Sequence, residues 1–242
     1  MSFWQKVVNI GTNETRHETF PYTQPITLVI KGNSGDIEIN TAETNTHIEV
    51  ILDCHGMNAT QQLADTQIRY DGERHRLDVI SPDAKWTLLT SVDVTINAPA
   101  YMTINATTAA GDIDIDATAT TIHCHTTAGD IDVHGAAAQE LTLTTTAGDI
   151  AVAHAARQNT FQSTAGDIEV AVGQPATVHA KTTAGDIEVT IARGFVTDVN
   201  ASTLSGEIKS DIQFGGTGPS DEPVTVVLEL TTLSGDIQIK RL

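Results

Sequence analysis

Aromatic residues are scarce in this chain, ten in 242 or 4%, although 40% of its residues are hydrophobic. A core so poor in rings has to be filled by Val, Ile, Leu, Ala and Thr, which suits narrow β-coils better than a wide sandwich. Basic residues are also few: 13 Lys and Arg stand against 31 Asp and Glu, a formal charge of −18. Nucleic acid and anionic membrane surfaces are recognised by clustered Lys and Arg, so neither is expected as a partner. There are only two cysteines, Cys54 and Cys124. One disulfide in an intracellular chain would be unusual, and both are read as free thiols. No apolar run approaches the ~20 residues of a membrane span. The stretch Met1 to Val8 has one basic residue and no apolar core of secretory type, and Lys240-Arg241-Leu242 follows the last strand directly. The expectation is a cytoplasmic, soluble protein. The chain also lacks a P-loop, a G-x-S-x-G elbow, an H-E-x-x-H pair and a dinucleotide-binding glycine signature, so no enzymatic activity is expected.

What the chain has in abundance is one hexapeptide. Thr-Thr-Ala-Gly-Asp-Ile stands at Thr126 to Ile131, Thr145 to Ile150 and Thr182 to Ile187, with variants ending at Ile37, Ile113, Ile168, Ile208 and Ile237. From Gly111 the motif glycines follow at intervals of 18, 19, 18, 19, 21 and 29 residues. A period of this kind marks an architecture in which each repeat buries its apolar face only against its neighbours.

Before each glycine the apolar positions are −7 and −5, as in Leu141 and Leu143; after it they are +2 and +4, as in Ile150 and Val152. Both flanks alternate with period two, the pattern of strands buried on one face. The buried set is odd before the glycine and even after it. An unbroken strand cannot change parity, so the chain must turn at Ala-Gly or Ser-Gly, where glycine adopts positive φ at low cost. The segment from −7 to +4 has constant length, and all length variation falls between one +4 and the next −7, where Gly135, Gly173-Gln174-Pro175, Gly194 and Gly215 to Pro219 lie. Insertions confined to one edge are what a stacked coil predicts. The fold class is therefore all-β, a single-stranded β-helix (β-solenoid) of roughly 18–20 residues per coil, with an irregular β-rich N-terminal part. Residues 1–100 are assigned to that part, a cap continuous with the solenoid, and residues 101–242 to the regular repeats. Asn159, at a −7 position, is expected to pair with backbone at a coil edge.

Within the first hundred residues, Ile26 to Ile30 leads through Gly35-Asp36 into Ile37 to Ile39, the same corner as in the later repeats. His47 to Leu52 reads as a strand. Asn58 to Asp65 reads as a short helix with Asn58 as N-cap. Gln67 to Tyr70 and Arg76 to Ile80 flank Asp71-Gly72 as a hairpin with a loop longer than two residues. Trp86 to Leu89 and Val92 to Ile96 continue the β pattern.

The corner motif, together with Val92-Asp-Val-Thr-Ile-Asn-Ala-Pro99, resembles the bacterial DUF4097 family, whose β-strand repeats also carry the label "putative adhesin". The resemblance covers residues 26–242. It implies a β-helical fold, brings no catalytic residues with it, and offers the one route by which a cell-surface role would arise.

The candidate site residues are the carboxylates at +1: Asp112, Asp130, Asp149, Asp167, Asp186, Glu207 and Asp236. Stacked ~4.8 Å apart, neighbouring charges repel by roughly 1 kcal/mol in water and about 3 at an effective dielectric near 20. Either each carboxylate accepts hydrogen bonds from corner amides, or divalent cations, Ca²⁺ foremost, bridge Asp112, Asp130, Asp149, Asp167, Asp186 and Asp236. A second acidic column at +3, Asp114, Asp132, Glu169 and Glu188, faces outward and is interrupted by Ala151. His123, His125, His134, His154 and His179 are read as scattered surface residues, because His123 and His179 lie three coils apart and zinc needs three or four convergent ligands. The Thr/Ser column at −3 is expected to form hydroxyl ladders. The functional expectation is a non-enzymatic scaffold or adhesin-like protein-interaction surface, self-associating or meeting a protein partner. The alternatives are a Ca²⁺-dependent binding module and a carbohydrate-active β-helix.

Overall fold

The computed structural model describes residues 13–22, 25–41, 46–56, 58–82, 90–212 and 225–242. The expected strand at Trp86 and the glycine-rich corner at Gly215 lie outside them. In chain order the elements begin with β1 (Asn13–Pro21), β2 (Thr27–Lys31), β3 (Ile37–Thr41), β4 (His47–Gly56) and α1 (Ala59–Asp65). There follow β5 (Gln67–Asp71), β6 (Arg76–Ile80), β7 (Thr90–Ala98), β8 (Met102–Thr107) and β9 (Ile113–Asp116). The middle of the chain forms β10 (Ala119–His125), β11 (Ile131–Val133), β12 (Ala137–Thr144), β13 (Ile150–Val152), β14 (Gln158–Gln162) and β15 (Ile168–Val172). The last are β16 (Ala176–Lys181), β17 (Ile187–Ile191), β18 (Thr197–Ser205), β19 (Ile208–Ser210), β20 (Val226–Ser234) and β21 (Ile237–Arg241).

These strands build two facing sheets. One runs β1-β4-β7-β3-β9-β11-β13-β15-β17-β21-β19 and the other β5-β6-β2-β8-β10-β12-β14-β16-β20-β18. Each coil gives one strand to each sheet, and successive coils pair in parallel with corresponding residues in register, as with Leu141 beside Ile122 and Ile150 beside Ile131. The solenoid expected from the glycine spacing is thus present, and Gly129, Gly148 and Gly166 lie one above the next.

The space between the sheets is filled by one continuous aliphatic core reaching from Ile26 to Ile239. The +2 column of Ile37, Ile113, Ile131, Ile150, Ile168, Ile187 and Ile237 is at most 1% exposed. Burying each such side chain contributes roughly 1.5–3 kcal/mol, and the repeat supplies four inward positions per coil. Asn159 interrupts the −7 column, between Leu141 and Val178, while remaining 1% exposed. Its Oδ1 accepts the Ala156 N–H at 2.8 Å and its Nδ2 donates to Ala156 and Thr177 carbonyls, so every polar atom is satisfied by backbone.

Two features depart from a simple winding. Coils do not stack in chain order at the ends: β2–β3 sits between β6–β7 and β8–β9, and β20–β21 sits between β16–β17 and β18–β19. The N-terminal end is closed by antiparallel pairing, with β4 on β7, β1 on β4 and β5 on β6. α1 covers the core there through Ala59 and Leu63. Its N-cap, Asn58, is in the left-handed region at φ 65° and makes no side-chain cap bond, contrary to the expected role. β5 and β6 form the expected hairpin, with four residues between them.

Candidate functional site

The repeated corner is the site the sequence singled out, and its geometry follows from the glycine. From Gly111 to Gly185 φ lies between +135° and +152°, a conformation L side chains rarely adopt. A Cβ on Gly148 would stand 2.0 Å from the Gly129 carbonyl oxygen, and the same contact recurs from coil to coil. Only a residue without a side chain lets the corners stack.

That close approach aligns the residue after each glycine with its counterpart in the next coil. The backbone N–H of Asp130 donates to Asp112 Oδ1 at 2.8 Å, that of Asp149 to Asp130 at 2.7 Å, and that of Asp167 to Asp149 at 2.7 Å. The series continues through Asp186 and Asp236 and ends where Glu207 N–H donates to Asp236 Oδ1. At the other end Asp112 donates to Asp36 and Asp36 to Asp93. Every carboxylate of this corner column, with Asp93 at one end and Asp236 at the other, therefore accepts an amide from the adjacent coil, which offsets the repulsion between stacked charges. Among the described residues no group of three or more His, Cys, Asp or Glu side chains is placed to hold a metal ion.

The Thr/Ser column at −3 points inward, as its pattern predicts, but it forms no hydroxyl-to-hydroxyl ladder. Thr126, Thr145, Ser163, Thr182 and Thr232 each donate the hydroxyl to a motif-glycine carbonyl of the adjacent coil at 3.0–3.1 Å. The glycine carbonyl, held 2.0–2.2 Å from where the next Cβ would be, is the nearest acceptor, so the hydroxyls are spent on it and are buried.

Outside the corners the side chains stand in columns on two flat outer faces. The face of β9, β11, β15 and β17 carries Asp114, Asp132, Glu169 and Glu188. Crowding by neighbouring coils strips water from Asp114 and Asp132 and pushes both carboxyls up; His134 opposes the shift. The face of β8, β10, β12, β14 and β16 is mostly uncharged: Asn105, His123, Thr142, Thr160 and His179 form one column. His123 and His179 are three coils apart, as expected, and pair with Glu140 and Glu229 at 3.7 Å and 2.8 Å. Cys124 and Cys54 are free and buried, and burial pushes their thiols up to about 12 and about 11.

The model of the family described as "Toastrack DUF4097" matches residues 19–240. The chain belongs to the Toastrack DUF4097 family. A crystal structure of a "putative adhesin" from Bacteroides fragilis is similar to it with a TM-score of 0.51 at 15% identity, over 95% of this chain and 97% of that one. A "putative adhesin" and a "putative lipid binding protein" from Parabacteroides distasonis match with TM-scores of 0.47 and 0.46 at 13% and 10% identity. They cover 93% and 98% of this chain and 97% and 100% of their own. No curated protein matches. At these identities the likeness shows the Toastrack fold alone.

One feature of this Toastrack chain escaped the sequence reading. Leu204 is 83% exposed, Leu233 47% and Ile208 39%, all on the last two coils of the stack. The signal was present in the corner motif, which changes from Thr-Thr-Ala-Gly to Thr-Leu-Ser-Gly at these two coils alone. Among the described residues no helix is long and apolar enough to cross a membrane.

Proposed function

We propose that this protein is a non-enzymatic, adhesin-like scaffold that meets a protein partner through the flat face carrying Asn105, His123, Thr142, Thr160 and His179. The observation that supports this reading is the commitment of the repeated carboxylates. In a carbohydrate-active β-helix, acidic side chains would be free to converge on a substrate; here the Asp93-to-Asp236 series accepts backbone amides along the whole stack. What the coils offer to a partner is breadth, a regular plane of side chains one coil apart. The Asn105 to His179 face is the better contact surface because a partner meets few charges there, whereas the opposite face adds carboxylates to a chain already at −18. The word adhesin in the name of the Bacteroides fragilis protein agrees with an adhesive use of the fold.

The test is affinity capture from native lysate on the full chain, beside a Thr142→Arg/Thr160→Arg variant of this face and a Glu169→Gln variant of the other. The expected result is a protein retained by the parent chain and by Glu169→Gln and lost from the double variant. Capture of nothing, or equal capture by all three, overturns the reading. A cytoplasmic location is a separate proposal, supported by the two unpaired thiols and tested by fractionating cells that express the natural gene.

A further inference from the structure

The two ends of the stack are built differently. The N-terminal end is closed by β1, β4, β5 and α1, and Arg16 on β1 donates to the Leu63 and Thr66 carbonyls of the helix end. Charged residues aimed inward from an edge strand block further pairing. At the other end β18 and β19 are the outermost strands of their sheets. Val199 and Ala201 of β18 are only partly buried, while their neighbours Leu228 and Leu230 are 0% and 1% exposed. β18 has nine residues, one charge, no proline and no lysine, so its own sequence does little to protect an edge.

Among the described residues no strand pairs with the outer side of β18, and the direction of its outward groups is fixed by the register. Ala176 donates its N–H away from β14, to Thr225, whereas Thr177 donates back to Arg157. Ala176 aligns with Val226 and Val226 with Thr197. Alternate residues of a parallel strand serve opposite neighbours, so Thr197, Val199, Ala201 and Thr203 point their backbone groups out of the stack. These four are symmetric about Asn200.

We propose that the β18 edge is an isologous interface, on which a second copy of this chain pairs its own β18 antiparallel about a two-fold axis at Asn200. In that register all four outward residues find partners: Thr197 opposes Thr203 and Val199 opposes Ala201, each pair made twice. On the outer face Asp198 opposes Ser202 and Asn200 opposes itself. No like charges meet, and each polar pair combines a donor with an acceptor. On the inner face the opposed residues Thr197 and Thr203 form a Thr–Thr pair at each end of the ladder. Cross-strand Thr–Thr pairs of this kind stabilise antiparallel ladders.

Charge favours this end over the body of the stack. Residues 102–192 carry eleven acidic against two basic residues. Residues 193–242 carry seven against four, so copies meeting here face less repulsion than the body would impose. The two-fold makes the contact self-complementary and closed, giving a coaxial solenoid of double length rather than a filament. This pairing does not depend on which outer face meets another protein.

Sedimentation of the full chain at roughly 100 µM tests the pairing. The expected mass is twice 25.7 kDa. Ser202 is exposed, so its substitution leaves folding intact, checked by an unchanged melting curve. Ser202→Asp places a carboxylate against Asp198 of the other copy and is expected to weaken association at least about tenfold; Ser202→Lys places an ammonium there and is expected to keep the dimer. A parent chain that sediments as a monomer, or a dimer equally indifferent to both substitutions, overturns the proposal.

Discussion

The backbone N–H of Asp167 donates to Oδ1 of Asp149 at 2.7 Å, across the boundary between two coils. The same bond, repeated along the stack, turns a column of repelling charges into a row of fasteners between coils. Removing one fastener separates the two effects. Asp149→Ala deletes the acceptor and is expected to cost about 1 kcal/mol, the net worth of an exposed hydrogen bond. Asp149→Asn keeps an acceptor oxygen and removes a charge, so its urea midpoint is expected to equal or exceed that of the parent chain. A midpoint for Asp149→Asn as low as that for Asp149→Ala would mean that charge, not the acceptor, holds the corner.

The glycine in front of that carboxylate is expected to tolerate nothing. In Gly148→Ala the new methyl would stand 2.0 Å from the Gly129 oxygen at φ +150°, and no flexible side chain can yield because the obstacle is backbone. Prising the coils apart there is expected to cost more than about 3 kcal/mol. Gly173 has open space around it and no positive φ, so Gly173→Ala should stay within about 0.5 kcal/mol of the parent. Equal midpoints for the two variants would rule out stacked corners.

These two positions also show how far the sequence could be read. The corner was legible because the change of inward parity at each glycine has one physical solution, and that solution fixes which residues face the core. The order of coils was not. Gly206 and Gly235 carry nearly the same motif, and nothing in a local pattern says that Gly235 stacks on Gly185 and Gly206 on Gly235. β1 carries no legible strand signal because Glu14, Arg16 and Glu18 occupy the half-buried side of an edge strand, where Glu14 accepts from the Thr60 hydroxyl, Glu18 accepts from Arg16, and Arg16 donates to the Leu63 and Thr66 carbonyls. The −3 hydroxyls were placed correctly inside but matched to one another, whereas the tight glycine corner brings a carbonyl within reach first. The open edge at β18 announces itself only through leucines at the corner, a signal without meaning until the stacking order is known.

Calcium is expected to leave this protein unchanged. Bridging ions would need oxygens from Asp112, Asp130, Asp149, Asp167, Asp186 and Asp236, and in each the Oδ1 atom already accepts an amide. Titration with CaCl₂ should give no heat, and the melting temperature should not rise with calcium concentration. A rise following the logarithm of added calcium, as binding to the native state alone requires, would establish that the second oxygens of the column act as ligands.

Acid is expected to stabilise one patch of the protein while it weakens others, and Asp132 identifies the patch. Crowding between coils raises its folded-state carboxyl above the ordinary range, His134 opposes the shift, and Asp114, Asp130 and Asp112 add to it. An acid whose pKa is raised by folding contributes stability that is fully present below its unfolded value of about 3.9 and lost as pH rises through the folded value. Above that window the ionised group is a net cost. Asp132→Asn should therefore unfold at a higher urea concentration than the parent at pH 7, and the difference should shrink as pH falls and vanish below the ordinary carboxylate range. Measuring both midpoints across that range decides the point, because a variant less stable than the parent at pH 7 would mean that the charged form of Asp132 is favoured by its surroundings.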